Sequence, residues 1–457
     1  MKKRLEWVRK KTKRTERKKH DKGIVEFIKI VRHFFGELNE WIEEMEDPRN
    51  ESYITYSQKD FFYMGCLKNA CSVESMKKME DLFNEENCIR ALGILSGNEE
   101  LDEMPHCDTL NYYLSKLSPE CLGEIRTKMI RKLIKSKVFN KARLSNGGWR
   151  VILDGTGLFS FKEKHCDNCL RQTTHDEDGT KHTVYYHKVL EAKLVLGDGF
   201  VVSLGTEFIE NESEEVKKQD CEINAAKRLL PRIKKAFPRL KICIQADALY
   251  ETEPMMHMCK SELGWDYIFT HKDTRQPAVG ESFNLLEEQD MAVVKNACKE
   301  HGVAKYYNGV ESLAGKKETM NMVSYQFEEE DEEGIKTLHI FTWTTSIQIK
   351  RANVEDIINA GRGRWQIENE GFNVQKNVTY KIEHLNSRNP RAMKNHYLLT
   401  QISDIIFQLY YRYNWLVKKF GQGLKNTSSR LLESFRTHSI TEEDVSYINR
   451  RTSVYLE

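Results

Sequence analysis

The sequence predicts an α/β fold: a mixed sheet covered by helices, with helical regions before and after it. Three observations predict it. From about residue 24 to 140, apolar residues recur at three- and four-residue spacing, as in IVEFIKIVRHFFGELNEWIEEM, DTLNYYLSKL and CLGEIRTKMIRKLI, the spacing of amphipathic helices. At Trp149 the pattern changes to short apolar runs that alternate with helical segments, the order that builds a sheet with helices packed on it. Between them, Tyr185 to Ile209 forms two β-rich runs around Gly197-Asp198-Gly199, a hairpin signal.

The elements follow in order. Asp108 before TLNYYL reads as an N-cap. WRVILDGTG is an apolar run closed by an acid and a glycine turn, which suits a buried strand with Asp154 at its end. After the hairpin, QDCEINAAKRLLPRIKKAF turns helical, with Pro231 expected to kink it or start a second turn. KICIQADALY is a strand ending in Asp247, a helix begins near Glu253-Pro254, and WDYIFTH is the next strand. Residues of about 272–340 read as a β-rich insertion, after which HIFTWTTSIQI (His339 to Ile349) returns to the core. Asn353 is placed to cap VEDIINAG, with Asp356 at the positive helix N-terminus. A helix carrying RWQIENEGFNVQKN follows the GRGR break, and Ala392 to Phe420 reads as a long amphipathic helix for core packing or a subunit interface. The expected organisation is a basic arm at 1–23, a helical region at 24–145, a core at 146–271 and 341–385 interrupted by the insertion at 272–340, and a helical region at 386–457.

At 457 residues the chain exceeds one ordinary core, so two or three domains are expected. No apolar run approaches the roughly 20 residues of a membrane span, and the basic N-terminus lacks the apolar stretch of a signal peptide. The 11 cysteines show no disulfide-like framework, which fits a reduced, cytoplasmic setting. The net charge of +2 hides an uneven distribution: the first twenty or so residues and Arg126 to Leu144 are basic, whereas QFEEEDEEG (Gln326 to Gly334) is acidic. Basic arms neutralise nucleic-acid phosphate, but a flexible tail that merely keeps the chain in solution fits the first segment equally well.

Three acids sit at places where chemistry is done. If the strands ending at Asp154 and Asp247 are neighbours entering the sheet the same way, their carboxylates meet at the edge where ligands bind. Close like charges repel unless a cation neutralises them, and Mg²⁺ is the hard, oxygen-seeking cation that needs few protein ligands. A third carboxylate on a helix completes a site for two ions roughly 3.5–4 Å apart, the arrangement for in-line phosphoryl transfer. Glu368 is the candidate. At about 100° per residue, Arg364, Glu368 and Gln375 fall within roughly 40° of one another on a helix, and Lys376 points about 80° from Glu368. Each piece alone has a plainer reading: a strand-end Asp is often a turn former, and Arg364 with Glu368 fits an ordinary surface pair. Gly371 in mid-helix costs about 1 kcal/mol, which implies a close packing neighbour.

At VILDGTG, KQDCEINAAKRLLPRIKKAFPRLKICIQAD and RWQIENEGFNVQKN, in that order across about 149 to 385, the chain resembles bacterial insertion-sequence transposases of the DDE class, whose catalytic domain is ribonuclease H-like. The resemblance implies that Asp154, Asp247 and Glu368 are the catalytic triad, binding Mg²⁺ or Mn²⁺. It implies cleavage of double-stranded DNA at transposon terminal inverted repeats, joining of the 3′-hydroxyl to target DNA, a homodimer in the synaptic complex, and a cytoplasmic, nucleoid-associated setting. The cut-and-paste branch carries a Tyr, Arg, Glu, Lys signature on the third-acid helix. Arg364 and Glu368 fit its spacing, while Gly361 stands at the tyrosine position and Gln375 at the lysine position, with Lys376 one residue later. A ribonuclease H-like nuclease without strand transfer and a catalytically silent DNA-binding relative are the alternatives.

Arg362, Arg364 and Lys376 are the expected DNA contacts, and Trp343 and Trp365 are either core residues or platforms for an exposed base. HCDNC (His165 to Cys169) offers a CxxC pair, with His175, His182 and His187 downstream. A structural Zn²⁺ held by Cys166, Cys169, His175 and His182 is one reading, and simple loop residues the other.

Overall fold

The computed structural model describes residues 22–450, apart from 177, 198, 214, 217, 287–289, 312–318, 332, 415–416 and 418–420. Most of the expected basic arm, Asp198 of the hairpin turn, Glu332 of the acidic run and most of the last stretch of the expected 392–420 helix thus lie outside the described residues. The chain divides into two compact units, one formed by Lys137–Asn373 and the other by residues up to Ser136 together with those from Val374 onward. The two helical regions expected at opposite ends of the chain are therefore one unit, and 374–385, expected in the core, belongs to it.

The Lys137–Asn373 unit is built on a ten-stranded mixed sheet. Its strands are β1 (Trp149–Phe161), β2 (Leu170–His175), β3 (Lys181–Gly197), β4 (Phe200–Ile209), β5 (Ile242–Ala246), β6 (Asp266–Thr270), β7 (Ala292–Ala297), β8 (Gly302–Val310), β9 (Met320–Glu330) and β10 (Lys336–Thr345). The order is β2-β3-β1-β5-β6-β10-β9-β8-β7, with β4 also pairing β3. The run β4-β3-β1-β5-β6, antiparallel among its first three strands and parallel from β1 through β6, is a ribonuclease H-like sheet. The insertion does not stand apart from it. β10 pairs antiparallel with β6, and β9, β8 and β7 continue outward, so the inserted strands widen the sheet.

Helices cover the sheet for reasons written in their apolar stripes. The helix Glu222–Ala236 runs continuously through Pro231 and buries Leu229 and Ile233, whose side chains press on Gly205 of β4, where a Cβ would meet them at 3.0 Å. The helix Val354–Arg362 buries Ile357, Ile358 and Ala360 in a cluster with Cys243, Ile268, Val323 and Trp343. Asn353 stands at its start without capping it, because its carboxamide accepts from the Lys350 N–H instead (2.7 Å). Asp356 in the first turn accepts from the N–H and hydroxyl of Ser145 (2.7 and 2.8 Å).

In the helical unit, Pro390–Tyr413 is the central helix and is buried along almost its whole length, so it is a core helix. Gly65 lets the helix Gln58–Ala70 approach it, since a Cβ there would lie 2.3 Å from Leu399. Asn395 donates to the carbonyls of Leu114 and Leu117 at the end of Cys107–Lys116 (2.8 Å each). That last helix starts two residues earlier than expected: His106 is its cap, accepting from the N–H of Asp108, and Asp108 falls in the first turn. Among the described residues, no helix is long and apolar enough to cross a membrane.

Candidate active site

β1 and β5 pair in parallel up to Ile152↔Gln245, and two residues further each chain carries an acid, Asp154 and Asp247. β5 stops there: Asp247 accepts from the Leu249 N–H (2.9 Å) as the chain turns. β1 does not stop. It runs on to Phe161 as an antiparallel ribbon with β3, so Asp154 sits where the parallel pairing ends and not, as expected, at the end of its strand. Neighbouring parallel strands thus deliver two carboxylates to the carboxyl edge of the sheet.

Alternation along β1 puts Ile152 and Asp154 on one face and Gly155 on the other. Ile152 packs with Val195, Val201, Ile367 and Phe372, so the segment carrying Glu368 lies on the Asp154 face. Arg364 closes that link, with a guanidinium nitrogen 3.5 Å from the Asp154 carboxylate. On the other face a Cβ at position 155 would meet the Glu222 carboxylate at 2.5 Å. Only glycine leaves room for that acid, which also accepts from the Tyr250 hydroxyl (3.0 Å) and pairs with Lys188.

This crowding shows in the electrostatics. Burial pushes the Asp154 carboxyl up to about 6, Arg364 and the Gly155 N–H oppose the rise, and the charges of Glu222 and Asp247 add to it. Asp247 and Glu222 are thereby within electrostatic reach of Asp154. Glu222, Lys188 and Tyr250 were not foreseen. The signal in the sequence was Gly155 itself, a strand glycine directly after the acid.

The Glu368 segment is not the regular helix expected. The helix Val354–Arg362 gives way to a turn at Gly363 and Arg364, and Ile367–Phe372 is then π-helical, with the Asn373 N–H reaching the Glu368 carbonyl. Wider turns carry fewer degrees per residue, so the 100° projection relating Arg364, Glu368 and Gln375 does not hold here; single π turns gather at functional sites. Glu368 is exposed on this segment. Among the described residues, clusters of three or more ligating side chains with donors within 4.8 Å of one another occur at 165/166/169/187 and 80/106/107, and the three acids do not form one. Gly371, expected to mark a close neighbour, would place a Cβ at ordinary contact distance, 3.7 Å or more.

The two departures from the signature have physical causes. At Gly361 a Cβ would lie 2.5 Å from the Trp343 indole nitrogen, so a tyrosine has no room. Trp343 is 2% exposed and belongs to the core, which removes it as a base platform. Gln375 is buried in the helical unit, where its amide donates to Asp404 (2.9 Å) and exchanges bonds with Gln401. Asp404 also accepts from Tyr380 (3.0 Å) and Gln408 (2.9 Å). Lys376, in the same unit, pairs with Glu383 (2.9 Å). Arg362 is engaged by Glu300 (2.8 Å) and by the ring of Phe327, a packing role within the widened sheet. Trp365 is 57% exposed, with the Arg364 guanidinium over its ring.

The expected metal ligands at the CxxC pair are corrected. β2 and β3 pair Leu170↔Tyr186 through His175↔Lys181, a register that carries His175 and His182 toward the hairpin tip and brings His187 back beside Cys169. His182 instead pairs with Asp176 (2.7 Å). The cysteines are joined by His165 and His187.

A ribonuclease H-like sheet thus brings two acids to its carboxyl edge, beside a segment that carries Arg364. A family model described as "Transposase DDE domain" matches residues 205–403, a span that contains Asp247 and Glu368 and begins after Asp154. That stretch of the chain carries a transposase DDE domain. No curated protein matches it.

Proposed function

We propose that this transposase cleaves DNA at transposon ends and joins the freed 3′-hydroxyl to target DNA, with Asp154, Asp247 and Glu368 as its acidic triad. The observation that carries this reading is the abutment of Asp154 and Asp247 on parallel β1 and β5, with Arg364 linking Asp154 to the segment that bears Glu368. The residues fit a hard divalent cation: Asp154 and Asp247 offer only carboxylate oxygens, and their mutual repulsion is what such an ion relieves. When bound, Mg²⁺ or Mn²⁺ would activate the attacking hydroxyl and stabilise the leaving oxygen.

The chain's own residues then have distinct tasks. Asp154 and Asp247 would hold the cation at the sheet edge. Glu368, exposed on a π-helical segment, joins them from above on closure over DNA. Arg364, beside Asp154, is placed to reach a phosphate, and Trp365 next to it offers a face for an unpaired base. Synapsis of two ends favours a homodimer on DNA.

The test is an end-containing duplex incubated with the protein and Mg²⁺. Cleavage followed by joining supports the proposal. Cleavage without joining identifies a nuclease, and binding without cleavage a silent relative. Asp154→Ala, Asp247→Ala and Glu368→Ala should each abolish cleavage by a factor of at least about 10³ while leaving DNA binding within about threefold; full activity in any one removes that residue from the triad.

A further inference from the structure

The geometry points to a structural Zn²⁺ site, formed by His165, Cys166, Cys169 and His187, that staples the root of the β2–β3 ribbon. The two sulfurs are 3.6 Å apart, and the His187 Nε2 lies 3.5 Å from the Cys166 Sγ and 3.4 Å from the Cys169 Sγ. A tetrahedral zinc with Zn–S of about 2.3 Å and Zn–N of about 2.05 Å requires edges of about 3.8 Å between sulfurs and about 3.6 Å between sulfur and nitrogen. The observed edges match those lengths to within about 0.2 Å. The sulfurs are far beyond the roughly 2.05 Å of a disulfide. One ligand atom from His165 completes the set, all four lying within 4.8 Å of one another.

The local structure holds the donors there independently of any ion. The N–H of Cys166 points at the Cys169 Sγ (3.4 Å) and the N–H of Cys169 at the Cys166 carbonyl (3.3 Å), folding the CxxC into a tight turn. Asn211, just beyond β4, donates to the Cys169 carbonyl (2.9 Å) and Asn168 donates to the Asn211 carbonyl (2.9 Å), tying that turn to the sheet. β1 is irregular between Gly157 and Ser160, opposite His187, and such bulges re-aim side chains. His165 stacks on Phe161 at 4.5 Å. Two thiolates, formed by release of their protons on binding, neutralise the Zn²⁺ charge, and two neutral imidazoles complete a closed site. The softness of this donor set separates it from the all-oxygen pair at Asp154 and Asp247.

The site lies along β3 from Glu191, which faces Asp154, at a distance of about 13 Å for four residues of strand. Beyond it, β2 presents Arg171 through His175 exposed, so the ion fixes the angle at which this polar ribbon leaves the sheet.

The experiment is elemental analysis of the full chain, purified without added metal and exchanged into Mg²⁺ buffer. One zinc per chain is expected, reduced at least tenfold in the Cys166→Ser, Cys169→Ser double variant and retained in His175→Ala, His182→Ala. Cys107→Ala, at the Glu80–His106–Cys107 cluster, should retain it, as should Asp154→Asn, which keeps this test separate from that of the catalytic proposal. Cobalt substitution should give the intense visible bands of a tetrahedral site with two thiolates. Zinc-free wild-type protein that also fails to take up zinc or cobalt would overturn the proposal whether or not the cysteine variants fold. Zinc retained by the double cysteine variant, zinc lost with His175 and His182, or a mass showing Cys166 and Cys169 oxidised to each other would overturn it equally.

Discussion

Replacing Asp154 by Asn should stabilise the metal-free protein. Burial and two acidic neighbours lift the Asp154 carboxyl from 3.8 to about 6, so the folded state binds this proton more tightly than the unfolded chain does. A carboxyl raised on folding costs nothing below pH 4, and its penalty grows through pH 4–6 and is fully present above about pH 7. The rise is worth about 3 kcal/mol at pH 8, an upper bound because part of the side chain meets water. Asn keeps an oxygen for the Gly155 N–H, whose bond to Asp154 is 2.9 Å, while carrying no charge. In chelator at pH 8, Asp154→Asn should therefore raise the melting temperature of the transition that reports the Lys137–Asn373 unit. The rise should be several degrees, at about 2–4 °C per kcal/mol for a unit of this size. The gap between variant and wild type should close as pH falls from 7 to 4. Adding Mg²⁺ should reverse the order, stabilising wild type by mass action and leaving the variant nearly unmoved. A variant less stable at pH 8 in chelator, or a gap constant from pH 4 to 8, would refute the account of charge crowding at this edge.

Gly361→Ala should destabilise by about 1–3 kcal/mol in urea melts, since the new methyl must displace the Trp343 indole from a packed core. Asp404→Ala removes the acceptor of the Tyr380 hydroxyl and of one bond each from the Gln375 and Gln408 amides in a buried setting and should cost about 3 kcal/mol, read as a lowered urea midpoint with an unchanged slope. Glu368→Gln, at an exposed position, should shift stability by no more than about 0.5 kcal/mol while removing DNA cleavage, so a large loss of stability would mean a structural role instead.

Much of this architecture was legible in periodicity. The hairpin at 185–209, the strands ending at Ala246 and Thr270, and the helix at 354–362 follow from local pattern, because burial on one face imposes its period on the sequence. What was illegible depended on long-range pairing. Nothing local in GTGLFSF says that β1 continues past Asp154, since its continuation is held by β3 and not by its own apolar content. That His187, and not His175 or His182, lies beside the cysteines depends on the register of β2 on β3, which spacing along the chain does not contain. The π-helical turns at Ile367–Phe372 leave no mark in an apolar pattern that an α-helix would also satisfy, so an α-helical projection does not locate Glu368. Likewise Gln375 reads as a polar surface residue until Asp404 and Tyr380, about 30 and 5 positions along the chain, are brought against it.

The helical unit draws its residues from both ends of the chain, with the sheet-bearing unit encoded between them. During synthesis the first group of helices must wait, without the buried partner Pro390–Tyr413, until well over two hundred further residues have left the ribosome. Meanwhile everything the sheet needs has already emerged. A message cut short anywhere near residue 380 would yield a chain able to form its acidic edge but with unshielded apolar helices in front of it. Such a product is a substrate for chaperones and proteases, so quality control, acting on the last segment made, would decide how many molecules ever reach DNA.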